Sequence, residues 1–366
     1  MSQTSRRPTV LIQVDLDSLW AVKTVYGLPV SQRDFDDDPL YVLGMARFLD
    51  LFRKRGVRAT FFAIGRDCAV PSKQALLRRA ASEGHEIANH SQNHLVGLGA
   101  RNPEEIAREI RLASDAIEAA TGCRPVGFRA PGYDASARVL QAVARAGMLY
   151  DSSVLPTRAG GLLRAAAAFF SRGKGRDGAA GGAGGHYGSG PVWKAPRAPY
   201  IPDLAAPWKA VSFRLQPEGC TTNSDIEAPW KLGTPEKGHA EACTLNNLVE
   251  LPVGVTPFLR LPVHASVAMA AGRAWTRMAL GGLIRSSPSA LVYVFHAIDL
   301  VGGEDLPGLP GGWLGRRVFR QSLARKAGFV EGVLGLLLAR CDSRLSRDFA
   351  EEEAAGQSSR PGGAVE

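Results

Sequence analysis

Apolar runs at strand period and amphipathic stretches at helix period alternate through the first 160 residues. Val10 to Asp15 reads as a strand, and Asp38-Pro39 opens a helix with Leu43, Phe48, Leu49 and Phe52 on its apolar face, stopped by Gly56. Val57 to Ile64 is a second strand, Ser72 the cap of a helix through Leu76 and Leu77 that ends at Gly84, and His85 to Asn89 a third strand. Asn102-Pro103-Glu104-Glu105 combines a cap, a proline and first-turn acids, and Ile106, Ile110 and Ile117 share one helical face up to Thr121-Gly122. Gly127 to Arg129 is strand four, Ser136 to Ala146 a helix and Met148 to Ser152 strand five.

Beyond Pro156 the periodicity lapses. Arg172 to Gly190 is dominated by glycine and cannot bury enough surface to offset its ordering entropy, and Pro-rich text continues to about Trp230. A flexible insertion over about 160–245 is expected. It is no phosphate loop, because no Gly-Lys-Ser/Thr follows the glycines and no helix opens after them. Leu248 to Val253 and Leu291 to His296 resume as strands, and a basic amphipathic helix near Val318 to Arg340 closes the pattern.

Seven strands alternating with helices predict an α/β fold with a parallel sheet, a distorted (β/α)7 barrel. The expected organisation is one catalytic domain over 8–305, a basic helical region over 306–350 and a disordered tail over 351–366. Active sites of such barrels lie where strands end and in the loops that follow.

Composition narrows the class without naming a partner. With 45% hydrophobic and 22% charged residues the 366-residue chain is neither disordered nor fibrous. Its 44 Lys+Arg against 35 Asp+Glu give a net +9, suited to a partner with negative charge. Scattered arginines without interleaved aromatics argue against nucleic acid. Cys68, Cys123, Cys220, Cys243 and Cys341 form no Cys-x-x-Cys pair, so a disulfide or cysteine-zinc scaffold is not expected and a reducing compartment is. The apolar run after Arg6 and Arg7 is too short and too soon charged for a signal peptide, which predicts a cytoplasmic start. The stretch Phe329 to Ala339 is broken by Glu331 and falls short of the ~18 apolar residues of a membrane span.

The polar residues collect at predicted strand ends. Asp15 and Asp17 follow strand one at i and i+2, on one side of an extended backbone, as a helix-cap pair or as a metal ligand beside a general base. His90 and His94 follow strand three at i and i+4 and share a face if the loop turns helically; with Asp17 they make three N/O ligands and an open position. Arg129-Ala130-Pro131-Gly132-Tyr133 follows strand four and could set a fixed cation and backbone N–H groups beside a metal. Asp151, Ser152 and Ser153 follow strand five, and His296 ends strand seven as either an acid or a core histidine.

These strings resemble the polysaccharide deacetylases of carbohydrate esterase family 4, the NodB-homology proteins. Val14-Asp15-Leu16-Asp17-Ser18 looks like the Asp-x-Asp variant of the first motif, His90-Ser91-Gln92-Asn93-His94 the second, Arg129-Ala130-Pro131-Gly132-Tyr133 the third, and Val294-Phe295-His296 the closing one. Tyr150-Asp151-Ser152-Ser153 is a further family string, and Asp225 with Trp230 the candidate for the later Asp-to-Trp motif. The likeness runs from Val10 to Gly160 and resumes at Leu248 to Leu300. It implies a divalent metal, zinc by preference, on Asp17, His90 and His94, with Asp15 as base, His296 as acid, Arg129 orienting Asp15, and a backbone N–H near Tyr133 joining the metal at the oxyanion.

The resemblance thus implies a hydrolase that removes an N-acetyl or formyl group from an N-acylated sugar. The basic helix, with Arg316, Arg317, Arg320, Arg325 and Lys326, suggests a lipid-linked substrate at the inner membrane face. Trp193-Lys194-Ala195-Pro196-Arg197 and His264 are groove candidates. A non-sugar amide hydrolase and a non-catalytic carbohydrate-binding relative are the alternatives. The presence of base and acid together speaks against the last.

Overall fold

The computed structural model describes residues 7–160, 191–211, 248–287, 289–306, 309 and 313–358. Cys220, Cys243, Asp225, Trp230 and the glycine-rich run Arg172 to Gly190 lie outside the described residues. The strands are β1 (Thr9–Asp15), β2 (Thr60–Ala63), β3 (Glu86–Asn89), β4 (Gly127–Phe128), β5 (Tyr150–Asp151), the pair β6 (Pro202–Asp203) and β7 (Ala206–Ala210), β8 (Val249–Glu250), β9 (Ala290–His296) and β10 (Asp342–Arg344). Neighbours from β1 through β5 to β8 pair in parallel, and β9 pairs with β1 along its whole length. Just past β8, a parallel bridge from Val253 to Val292 of β9 closes the ring of seven.

Period two explains the two sides of this ring. Val10, Ile12 and Val14 pack outward into the cluster of Phe48, Phe52 and Phe295, whereas Leu11 joins Phe62, Ala88 and Val292 inside. The inward parity of β1 therefore continues through Gln13 to Asp15, and that of β9 through Val294 to His296. Gly127 of β4 is required, because a Cβ there would meet Tyr150 Cζ at 1.9 Å.

Helices α1 (Leu19–Val25), α2 (Arg33–Asp36) and α3 (Pro39–Arg55) follow β1, then α4 (Pro71–Ser82), α5 (Pro103–Thr121) and α6 (Ala137–Arg145) alternate with β2 to β5. The expected caps are present at α3, where Asp38 accepts from Tyr41 N and Gly56 stops the helix at φ 64, and at α5, where Asn102 and Glu105 cap reciprocally. Ser72 caps nothing: Pro71 takes the first helical position and Val70 precedes it. Helices α7 (Ala265–Ala271) and α8 (Arg273–Ser286) precede β9.

Three expectations need correction. The insertion is ordered over 191–211, where β6 and β7 form an antiparallel hairpin. The helix expected near Val318 to Arg340 is α10 (Leu323–Leu338), preceded by the short α9 (Trp313–Val318), but Lys326 is not on a basic face: it is fully buried, donating to the carbonyls of Ile298 and Val301 at 2.9 and 2.7 Å. Burial lowers its amine to about 8. The tail is helical at its start, as α11 (Ser346–Ser358), and the remainder lies outside the described residues.

β10 pairs with Thr9 to Leu11 of β1, the half below the shorter β2, whose pairing covers Gln13 to Asp15. It leads into α11, whose start closes the barrel floor. Ser346 Oγ accepts from Gln13 Nε2 at 3.0 Å and from Thr60 Oγ1 at 2.9 Å, and Arg347 N donates to Glu86. Among the described residues no helix is long and apolar enough to cross a membrane.

Candidate functional site

At the opposite mouth of the ring, inward parity delivers Asp15, His90, Arg129 and His296 to one cavity of about 300 Å³, which Asp17, His94, Tyr133 and His264 also line. Asp17, His90 and His94 each offer one ligand atom, and these atoms lie within 4.8 Å of one another. Asp17 Oδ1 is 3.1 Å from His94 Nε2 and 3.5 Å from His90 Nε2, yet it is buried without a well-aligned hydrogen bond to either. Converging lone pairs of this kind fit a cation. His90 Nδ1–H donates to the Arg129 carbonyl at 2.8 Å, the tautomer that leaves Nε2 facing inward as an acceptor.

The two histidines meet by a different route from the helical turn expected. Residues 90–94 form no helix; Ser91 and His94 take left-handed φ values of 61° and 50°, folding the loop so that the rings lie 5.1 Å apart. Tyr133, at φ 58°, is a third such residue beside the cavity. Left-handed backbone in non-glycine residues costs energy and concentrates at functional sites.

Asp15 is paired, buried and directed. Arg129 NH1 donates to its Oδ1 at 2.6 Å, and Oδ2 stands 3.8 Å from His296 Nε2. Arg129 has no solvent exposure; Nε donates to Ser152 O and NH2 to both Ser152 Oγ and Gln13 Oε1. The guanidinium also lies over Phe62, 4.2 Å from the ring centre. Ser153 Oγ accepts from Ala130 N at 2.8 Å, so the Asp-Ser-Ser string at β5 holds the Arg129 strand end in place.

Tyr133, near which an oxyanion N–H is expected, sits in the turn after β4. Its N–H donates to the Ala130 carbonyl at 3.1 Å and closes that turn. The ring lines the cavity.

His296 is supported by Asp299 and Ser266. Asp299, fully buried, accepts from His296 N at 2.8 Å and stands 4.0 Å from its Nδ1, while Ser266 Oγ is 3.5 Å from Nδ1. Burial raises the Asp299 carboxyl above its ordinary value against the pull of His296. His264 packs 5.7 Å from His296 and 6.3 Å from Tyr133, and burial, with His296 beside it, lowers its imidazole to about 3. Trp193 and its neighbours do not line this cavity.

Burial pushes the Asp17 carboxyl upward, but His94 and His90 more than offset it and hold it well below the usual range. His90 is raised in turn: burial opposes its charged form, and Asp17 and Asp15 outweigh that.

The turn that carries Asp17 is anchored from behind by a buried charge cluster. Lys73, with no exposure, pairs with Asp38 and Asp67, each at 2.7 Å. Asp67 accepts from Ser18 Oγ and from Trp20 Nε1, the latter at 2.9 Å, and Asp38 accepts from Leu19 N at 3.1 Å. Three consecutive residues after Asp17 are thus tied to one cation and two carboxylates.

Comparison with known proteins agrees with the motifs. Residues 33–150 match the sequence model of the polysaccharide deacetylase family. A chitooligosaccharide deacetylase of Bradyrhizobium sp. (strain ANU 289) is 36% identical over 135 residues, 36% of this chain and 60% of that protein. A peptidoglycan-N-acetylglucosamine deacetylase of Bacillus cereus is 36% identical over 100 residues, 27% of this chain and 44% of that protein. The chain therefore spans less than two thirds of the length of these relatives. The crystal structure of a candidate polysaccharide deacetylase from Mycobacterium smegmatis superposes with a TM-score of 0.55 at 18% identity, covering 100% of this chain and 96% of that one, and shows the shared fold.

Proposed function

Because the chain is a relative of the polysaccharide deacetylases, we propose that it is a metal-dependent hydrolase that removes an acetyl or formyl group from the nitrogen of an acylated amino sugar. The observation that carries the reading is the juxtaposition of a three-ligand set, Asp17, His90 and His94, with the Asp15 and His296 pair on one cavity wall. The donor set, one carboxylate and two imidazoles, suits zinc. Such an ion, when bound, supplies positive charge that acidifies water and polarises the amide carbonyl.

The chain's own groups do the rest. Asp15, with Oδ1 engaged by Arg129, has Oδ2 free to accept the proton of the attacking water. As the water oxygen bonds to the acyl carbon and the C–N bond breaks, the departing nitrogen takes a proton from His296 Nε2. Asp299 and Ser266 hold the imidazole to that task from its Nδ1 side. The products are a free carboxylic acid and an amine.

Acetate release from a panel of N-acetylated amino sugars and chitooligosaccharides tests the reading. Asp15→Asn and His296→Gln should each slow release by roughly 10²–10⁴-fold. Variants as active as the parent would refute the assignment.

The location belongs to the same proposal. The exposed Arg316, Arg320 and Arg325 around α9 and α10 support contact with an anionic membrane face and an intracellular, lipid-linked substrate. Liposome association unchanged in an Arg316→Glu, Arg320→Glu, Arg325→Glu variant would sink that part. The apolar side of the cavity keeps hydrolysis of a non-sugar amide as a second reading. Turnover of such an amide with none of the sugars would select it.

A further inference from the structure

We infer that the cavity holds, beside the catalytic groups, a subsite for an aliphatic group carried on the amine half of the substrate; this rests on the hydrolase reading above. Beside the polar cluster, the lining includes Val22 and Val25 of α1 and Tyr26 just after it, Ile298 from the turn after β9, and Val318 and Phe319 at the end of α9. The wall is preformed. Val318 and Phe319 are 3% and 8% exposed, and the Tyr26 ring meets Phe319 edge-on at 5.7 Å.

A sugar hydroxyl pressed against these side chains would leave water without gaining a partner, which opposes binding. A methylene gains about fourfold in affinity for each one buried. The wall is thus built for hydrocarbon, with the sugar held toward the polar side.

Topology decides which half of the substrate reaches it. α1 follows β1, and Ile298 follows β9, the adjacent strand that ends in His296. Arg129 and Tyr133 follow β4, across the ring from β1. His296 donates to the departing nitrogen, so the amine half of the substrate lies on its side and meets the wall. The acyl group lies toward β4.

Calorimetric titration of the metal-loaded protein with three soluble probes, each kept below micelle formation, tests this. Octyl N-acetyl-β-glucosaminide should bind about tenfold or more tightly than the methyl glycoside, and N-octanoylglucosamine no more tightly than N-acetylglucosamine. Val25→Thr, nearly isosteric and half-buried, should remove much of the octyl advantage, as should Phe319→Ser if it folds. Equal binding of octyl and methyl glycosides would overturn the inference, and so would a preference that moves to the octanoyl amide or survives Val25→Thr. The two proposals fail separately. Octyl preference without acetate release would uphold the subsite against the hydrolase reading, and acetate release without octyl preference the reverse.

Discussion

Arg129 NH1 and Asp15 Oδ1 meet at 2.6 Å as a buried ion pair that spans the barrel mouth from β4 to β1. Removing the cation would leave the buried Asp15 carboxylate without its donor, a loss on the order of 3–5 kcal/mol. Arg129→Met should therefore unfold at markedly lower denaturant. Arg129→Lys keeps the charge but cannot reach Asp15, Gln13 and Ser152 together, so it should fold and turn over substrate at least tenfold more slowly. Denaturation curves and acetate release on the two variants check both halves.

Lys73 makes a parallel case behind the Asp17 turn. With Lys73→Met, Asp38 and Asp67 face each other buried and uncompensated, at a cost of roughly 3–5 kcal/mol. Adding Asp67→Asn should restore part of the loss, because one uncompensated carboxylate is removed. A double variant no more stable than Lys73→Met would contradict the pairing.

How much of this was legible follows from the range over which each pattern acts. Asp15, His90, Arg129 and His296 could be placed on one rim because strand period fixes side-chain direction locally, and the barrel class followed from the alternation of elements. The left-handed turns at Ser91 and His94 carry no glycine to announce them, so nothing in the local sequence distinguishes this loop from a helical turn. Gln13 is a lone polar residue in an apolar strand, and only the fold brings it to Arg129 on one side and Ser346 on the other. The Asp38, Asp67 and Lys73 cluster is scattered along the sequence and has no local signature. β10 was invisible because Asp342, Ser343 and Arg344 pair through backbone groups and show no apolar run.

The low imidazole of His264 has a consequence in acid. Its folded value of about 3 lies below the 6.5 of an ordinary imidazole, so between these pH values the unfolded chain binds a proton that the folded chain does not. Stability attributable to His264 is intact above pH 6.5 and falls as pH drops toward 3, by at most about 1.4 kcal/mol per pH unit. His264→Leu should flatten that limb. Thermal melts of the two proteins from pH 7 to 4 that stay parallel would show that His264 is not the group involved.

Elemental analysis of purified protein tests the ligand set at the barrel mouth most directly. The wild type, after reconstitution with zinc and removal of excess, should retain about one metal ion per chain, and a His90→Ala, His94→Ala variant of unchanged fold should retain none. Wild-type protein that holds no metal, or a double variant that holds as much as the parent, would contradict the assignment of Asp17, His90 and His94 and remove the basis for the proposed hydrolysis.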